Sequence, residues 1–106
     1  MATIKSHTDI KQNRRLAEIL PIESADMYYW CGEELRIGGY RAMDIDYDIP
    51  CWSLAALLNV LPSATLDSSD DRYYRVHCMG RYTEWYDNPI DACYEIILKL
   101  HELKNL

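Results

Sequence analysis

Between Arg72 and Tyr86 the chain interleaves Arg72, Arg75 and Arg81 with Tyr73, Tyr74, Tyr82 and Trp85. Guanidinium groups pair with phosphate or carboxylate, and flat rings stack on bases and other planar groups. His77 and Glu84 fall in the same stretch, and on one strand face such a pair can exchange protons. Both patterns also have a plainer reading as cross-strand packing, with Arg75 set against Glu84 and His77 as an ordinary half-exposed sheet histidine. The candidate ligand- or partner-binding residues are therefore Tyr73, Arg75, His77, Arg81, Tyr82 and Trp85.

Other chemistry is harder to build. The chain has no glycine-rich phosphate loop, no nucleophile elbow and no histidine-containing metal motif, and His7, His77 and His101 are scattered. Cys31, Cys51, Cys78 and Cys93 lack Cys-x-x-Cys spacing and read as reduced, buried thiols. His77 and Cys78 are adjacent, but neighbours on a strand point to opposite faces. The acidic run Met43 to Asp48 fails as a calcium loop, because Ile49 stands where the turn glycine belongs and Ala55 where the terminal Glu belongs. It reads as an edge strand or extended loop. No catalytic residue, metal ligand or cofactor is assigned, and an enzyme is the least supported class.

The elements that must position the arginine and aromatic residues are well marked. Tyr73 to Met79 and Arg81 to Tyr86 read as a hairpin turning at Met79-Gly80. A two-residue turn puts Tyr74, Val76, Cys78, Thr83 and Trp85 on one face, the better one to lie beneath the helix, and Tyr73, Arg75, His77, Tyr82, Glu84 and Tyr86 on the other, an amphipathic face left open. A one-residue slip would exchange the two. Asn88, Pro89 and Asp91 then cap and start a helix. Cys93, Ile96, Ile97, Leu100 and Leu103 form its apolar side, interrupted opposite by Leu98 with Tyr94 and His101.

Upstream, residues 1–7 are expected to be loose. Thr8 or Asp9 caps a helix to Leu20, ended by Pro21, with Lys11, Gln12, Asn13, Arg14 and Arg15 as its solvated beginning. Met27 to Cys31 and Leu35 to Ile37 pair as strands. A second helix follows Pro50 to about Leu61 and is apolar on nearly every side, so it is covered twice or forms a subunit contact. Residues 63–71 have loop composition.

Tyr47-Asp48-Ile49-Pro50 matches Tyr86-Asp87-Asn88-Pro89 at a shift of 39, and Asp26-Met27-Tyr28-Tyr29 matches Asp71-Arg72-Tyr73-Tyr74 at a shift of 45. The match suggests a strand-strand-helix unit made twice, over 26–61 and 71–105. The fold class expected is α+β: antiparallel sheet from two hairpins packed with helices, plus an N-terminal helix, in a single domain spanning 1–106.

Composition narrows the setting. A chain of 106 residues buries roughly 65% of its unfolded surface and needs no staples. No apolar run is long enough for a bilayer and no signal-peptide layout is present, so a soluble cytoplasmic protein with no membrane partner is expected. A net charge of −6 disfavours non-specific nucleic-acid binding and suits a basic protein partner. With nine Tyr, three Trp and no Phe, every aromatic ring carries a polar handle.

The stretch Asp48-Ile49-Pro50-Cys51-Trp52-Ser53-Leu54-Ala55-Ala56-Leu57-Leu58 and the ending Glu84-Trp85-Tyr86-Asp87-Asn88-Pro89-Ile90-Asp91-Ala92-Cys93 resemble short uncharacterised proteins of gut-bacterial prophages and mobile elements. Residues 73–106 also look like the small phage ABA-sandwich domains, in which a hairpin precedes an acidic-Pro helix start. Neither group supplies a catalytic residue to carry over. The resemblance implies an accessory protein that binds a host protein. A protein-binding module is accordingly the first reading, with homo-oligomerisation through the apolar second helix as a further expectation. The second reading is a small-ligand or nucleotide-sequestering protein that uses the Arg/Tyr-rich hairpin.

Overall fold

The computed structural model describes residues 5–70, 72–104 and 106. It contains three α-helices and two three-stranded antiparallel sheets, the α+β class expected from the sequence. In chain order these are α1 (Ile10–Ala17), β1 (Met27–Trp30), β2 (Glu34–Ile37), β3 (Ile49–Cys51), α2 (Leu54–Val60), β4 (Thr65–Ser69), β5 (Tyr73–Cys78), β6 (Arg81–Tyr82) and α3 (Pro89–Glu102). Short 3-10 turns cover Ile22–Ser24 and Tyr40–Ala42. The first sheet runs β2-β1-β3 and the second β4-β5-β6.

α3 forms for the reasons its sequence gives. Asn88 Oδ1 accepts from the Asp91 amide at 2.8 Å, Pro89 fills the first helical position, and Asn88 Nδ2 donates back to the Asp91 carboxylate at 2.8 Å. Ile90, Cys93, Ile96, Ile97 and Leu100 are fully buried against β5 and α2. Leu98 and Tyr94 are half-buried rather than exposed, and Tyr94 packs on the core. The same core takes Leu16 and Leu20 from the N-terminal segment and Trp52, whose indole N–H donates to Ser24 Oγ at 2.9 Å.

Four local readings change. α1 is capped by Asp9 in a reciprocal box with Gln12, but it stops at Ala17. Gln12 and Asn13, read as solvated, are buried, because this face of α1 meets β3 and the start of α3. α2 begins after the Ser53 cap rather than at Pro50, which lies inside β3 and pairs with Tyr28. Residues 65–69, read as loop, form β4 along the length of β5. A polar segment can be an edge strand when its backbone finds a partner and one face stays wet.

Residues 1–4, expected to be loose with 5–7, lie outside the described residues, as does Asp71 at the start of the second matched segment. Lys5 is tied down: its ammonium donates to Asp9, Gln12 and Asp91 at 2.8–2.9 Å. The two halves share a hairpin followed by a helix, yet the third strand of each sheet has a different origin. β3 follows its hairpin, whereas β4 precedes its own. No helix among the described residues is long and apolar enough to cross a membrane.

Candidate functional site

The hairpin turns at Met79-Gly80 as its sequence indicates, with Cys78 opposite Arg81 and His77 opposite Tyr82. Both turn residues have positive φ, 51° and 78°, the geometry that matches strand twist and that Gly80 adopts freely. Beyond this the register shifts. Val76 still faces Thr83, but the next bridge joins Tyr74 to Tyr86, so Glu84 and Trp85 together oppose Arg75. This is a β-bulge. Thr83 holds it: its hydroxyl accepts from the Val76 amide at 3.0 Å and donates to the Glu84 carbonyl at 2.8 Å.

The bulge exchanges two side chains between faces. Tyr86, expected on the open face, packs against the core, and burial, followed by nearby Glu95, Glu84 and Asp91, pushes its phenol up from the ordinary value. Trp85, expected beneath the helix, emerges on the open face with 44% of its surface exposed. There it joins Tyr73 and Tyr82, each 51% exposed, together with Arg75 and His77.

Arg75 is the centre of this face. Its guanidinium carbon lies 4.7 Å from the ring centroids of both Tyr82 and Trp85. Its Nε donates to Asp67 Oδ2 at 3.2 Å, so the acid opposite Arg75 is Asp67 of β4 rather than Glu84. Each exposed cation–π contact contributes about 0.5–1 kcal/mol and a surface ion pair about as little. Their joint effect is to fix a long side chain in one orientation. Its two terminal nitrogens have no hydrogen-bond acceptor among the described residues. The His77 ring stacks on Tyr82 at 4.2 Å and 16°. This leaves His77 and Glu84 in different settings, with no hydrogen bond between them among the described residues.

Arg81 leaves the group. It sits directly opposite Cys78, whose side chain is buried on the helix side, and residues directly opposite share a face. Two residues absent from the sequence reading join: Asp67 and Ser69, carried by β4. Ser69, Tyr73 and Trp85 line a hollow of about 290 Å³. The alternation Thr65, Asp67, Ser69 against the inward Leu66 is the only trace that this strand leaves in the sequence.

No protein-family model matches this chain, and neither does any curated protein or solved structure.

Cys51, Cys78 and Cys93 are buried free thiols, and Cys31 is free and exposed. Burial pushes the Cys93 thiol up to about 12, far from a reactive thiolate. Asp48, in the acidic run, is a structural acceptor: its carboxylate takes the Cys31 amide at 2.9 Å and the Asp44 amide at 2.8 Å. Among the described residues no group of three His, Cys, Asp or Glu side chains is placed to hold a metal ion.

Proposed function

We propose that this chain is a non-enzymatic binding module, an accessory protein of a prophage or mobile element, which takes a basic host protein on the open face of β4-β5-β6. The observation that carries this reading is the exposed set Tyr73, Tyr82 and Trp85 around an Arg75 already held in place. Tyr, Trp and Arg dominate the energetics of protein interfaces because each brings large contact area together with a polar end. An anchor ordered beforehand costs less entropy to bind. The net charge of −6 would speed encounter with a basic partner.

The test is capture from a bacterial host with tagged protein and with the Tyr82→Ala/Trp85→Ala variant. Both rings are half exposed, so the variant should fold. A specific basic protein retained by the parent, with retention reduced at least about tenfold in the variant, is the expected result. Repeated capture that recovers no specific protein, or recovery indifferent to the two rings, counts against the reading.

A second reading rests on the hollow beside Trp85. A planar base could enter between Tyr73 and Trp85, with its phosphate on the free edge of Arg75. Asp67 lowers the net positive charge there, which places this reading second. A thermal-shift series against nucleotides decides it: stabilisation abolished by Arg75→Ala supports nucleotide binding, and no stabilisation by any of them removes it.

A further inference from the structure

We infer that β2 is a self-association edge: two copies of the chain join through antiparallel β2–β2 pairing centred on Leu35, making one six-stranded sheet. This is independent of the binding reading above. Among the described residues β2 has β1 on one side only, and all four of its residues are exposed, Ile37 at 88%. The phase of its ladder follows from the Gly38 amide, which donates to the Asp26 carbonyl at 3.0 Å. Hydrogen-bonded pairs alternate in an antiparallel ladder, so Arg36 turns its amide and carbonyl inward to Tyr28. Leu35 and Ile37 therefore turn theirs outward, where an unpaired edge is a template for another strand.

Charge then selects the partner and the register. A two-fold axis at Leu35 sets the outward groups of Leu35 against those of Leu35 in the second copy. Glu34 then lies opposite Arg36 of the other copy, twice, at the closely spaced non-hydrogen-bonded positions. An axis at Arg36 would instead bring two arginines together. Within one chain Glu34 and Arg36 make only an exposed contact of 3.4 Å, and Arg36 lies 4.5 Å over Trp30, so both charged groups sit at the edge already oriented. The other edges do not offer this. β3 is flanked by the N-terminal segment through the Thr8 amide and the Trp52 carbonyl at 3.0 Å. β6 has two residues, and β4 carries one acid, already paired with Arg75, and no base of its own to meet an acid across a two-fold axis. α2, the oligomer surface expected from sequence, buries Ala56 and Leu57 within the chain.

Sedimentation velocity over a wide concentration range tests this with the full chain. The expected result is a weak, reversible dimer. Glu34→Arg and Arg36→Glu alone, each replacing two attractive pairs by two repulsive ones, should weaken it about tenfold or more. The Glu34→Arg/Arg36→Glu double exchange should restore it. Both side chains are exposed, and circular dichroism checks that each variant folds. A monomer at every concentration overturns the inference, and so does a dimer unmoved by the single exchanges, including one broken only by changes on α2. Failure of the double exchange to recover the dimer overturns the Leu35-centred register.

Discussion

Thr83, Asn88 and Trp85 show how single residues set this fold and its open face. Thr83 is nearly buried, and its hydroxyl is the acceptor for the Val76 amide at the bulge. Thr83→Val keeps the shape but strands that buried amide, so urea unfolding should show a loss of about 1–3 kcal/mol. Asn88→Ala removes a cap and the return bond to Asp91 and should cost about 1 kcal/mol in the same measurement. Trp85→Ala should cost no more than about 1 kcal/mol in stability while reducing partner capture, because its ring supports Arg75 from a half-exposed position. The cap was legible in the Asn-Pro-x-Asp pattern, since capping is decided within one turn. The face on which Trp85 lies was not, because a bulge depends on a hydroxyl meeting an amide across the ladder.

At the level of elements, periodicity located what packing rewards. α3 was readable because its apolar side is continuous and its start is marked. Ile96, fully buried at the centre of that side, makes the sharpest test: Ile96→Ala should cost about 2–5 kcal/mol, lowering the thermal midpoint by at least about 10 °C. The failures share a physical cause. β4 carries one inward apolar residue, Leu66, and draws its order from backbone bonds to β5, which leave no signature in side-chain composition. β3 is three residues long and includes Pro50, so neither alternation nor propensity announces it; its ladder with β1 defines it. The buried Gln12 of α1 misled for the same reason, since its partner Asp91 lies far along the chain, whereas Asn13 is buried beside Thr8, whose hydroxyl donates to it.

Over the whole molecule, the N-terminal segment is joined to the start of α3 by a charged cluster. Burial alone would push the Asp91 carboxyl up, but hydrogen bonds from Asn88, Lys5 and Gln12, with the Lys5 charge, hold it below the ordinary value. For Asp9, burial is likewise outweighed by the Gln12 amide and Lys5. For Lys5, burial would lower the ammonium, yet Asp9 and Asp91 raise it. Carboxyls depressed in the folded state stabilise above their unfolded value and lose that contribution as pH falls through the folded one. A raised lysine stabilises below its unfolded value and loses its contribution as pH rises through the folded one. The cluster's contribution should therefore be level between about pH 5 and 10 and fall away on both sides. Thermal unfolding across pH 2–11 checks this, and Lys5→Met should reduce the pH dependence on the acid side.

The sequence by itself determined the α+β class, the Met79-Gly80 turn, the capped terminal helix and the shared face of Tyr73, Arg75, His77 and Tyr82. These depend on forces acting within a turn or along one periodic face. Tertiary structure alone decided the division of the strands into two sheets, the exposure of Trp85 and burial of Tyr86, the pairing of Arg75 with Asp67 and the open edge at β2. Each of those depends on which groups meet across a ladder, through main-chain pairing or, at the bulge, the Thr83 hydroxyl on the Val76 amide, and such meetings leave little trace in side-chain composition or periodicity.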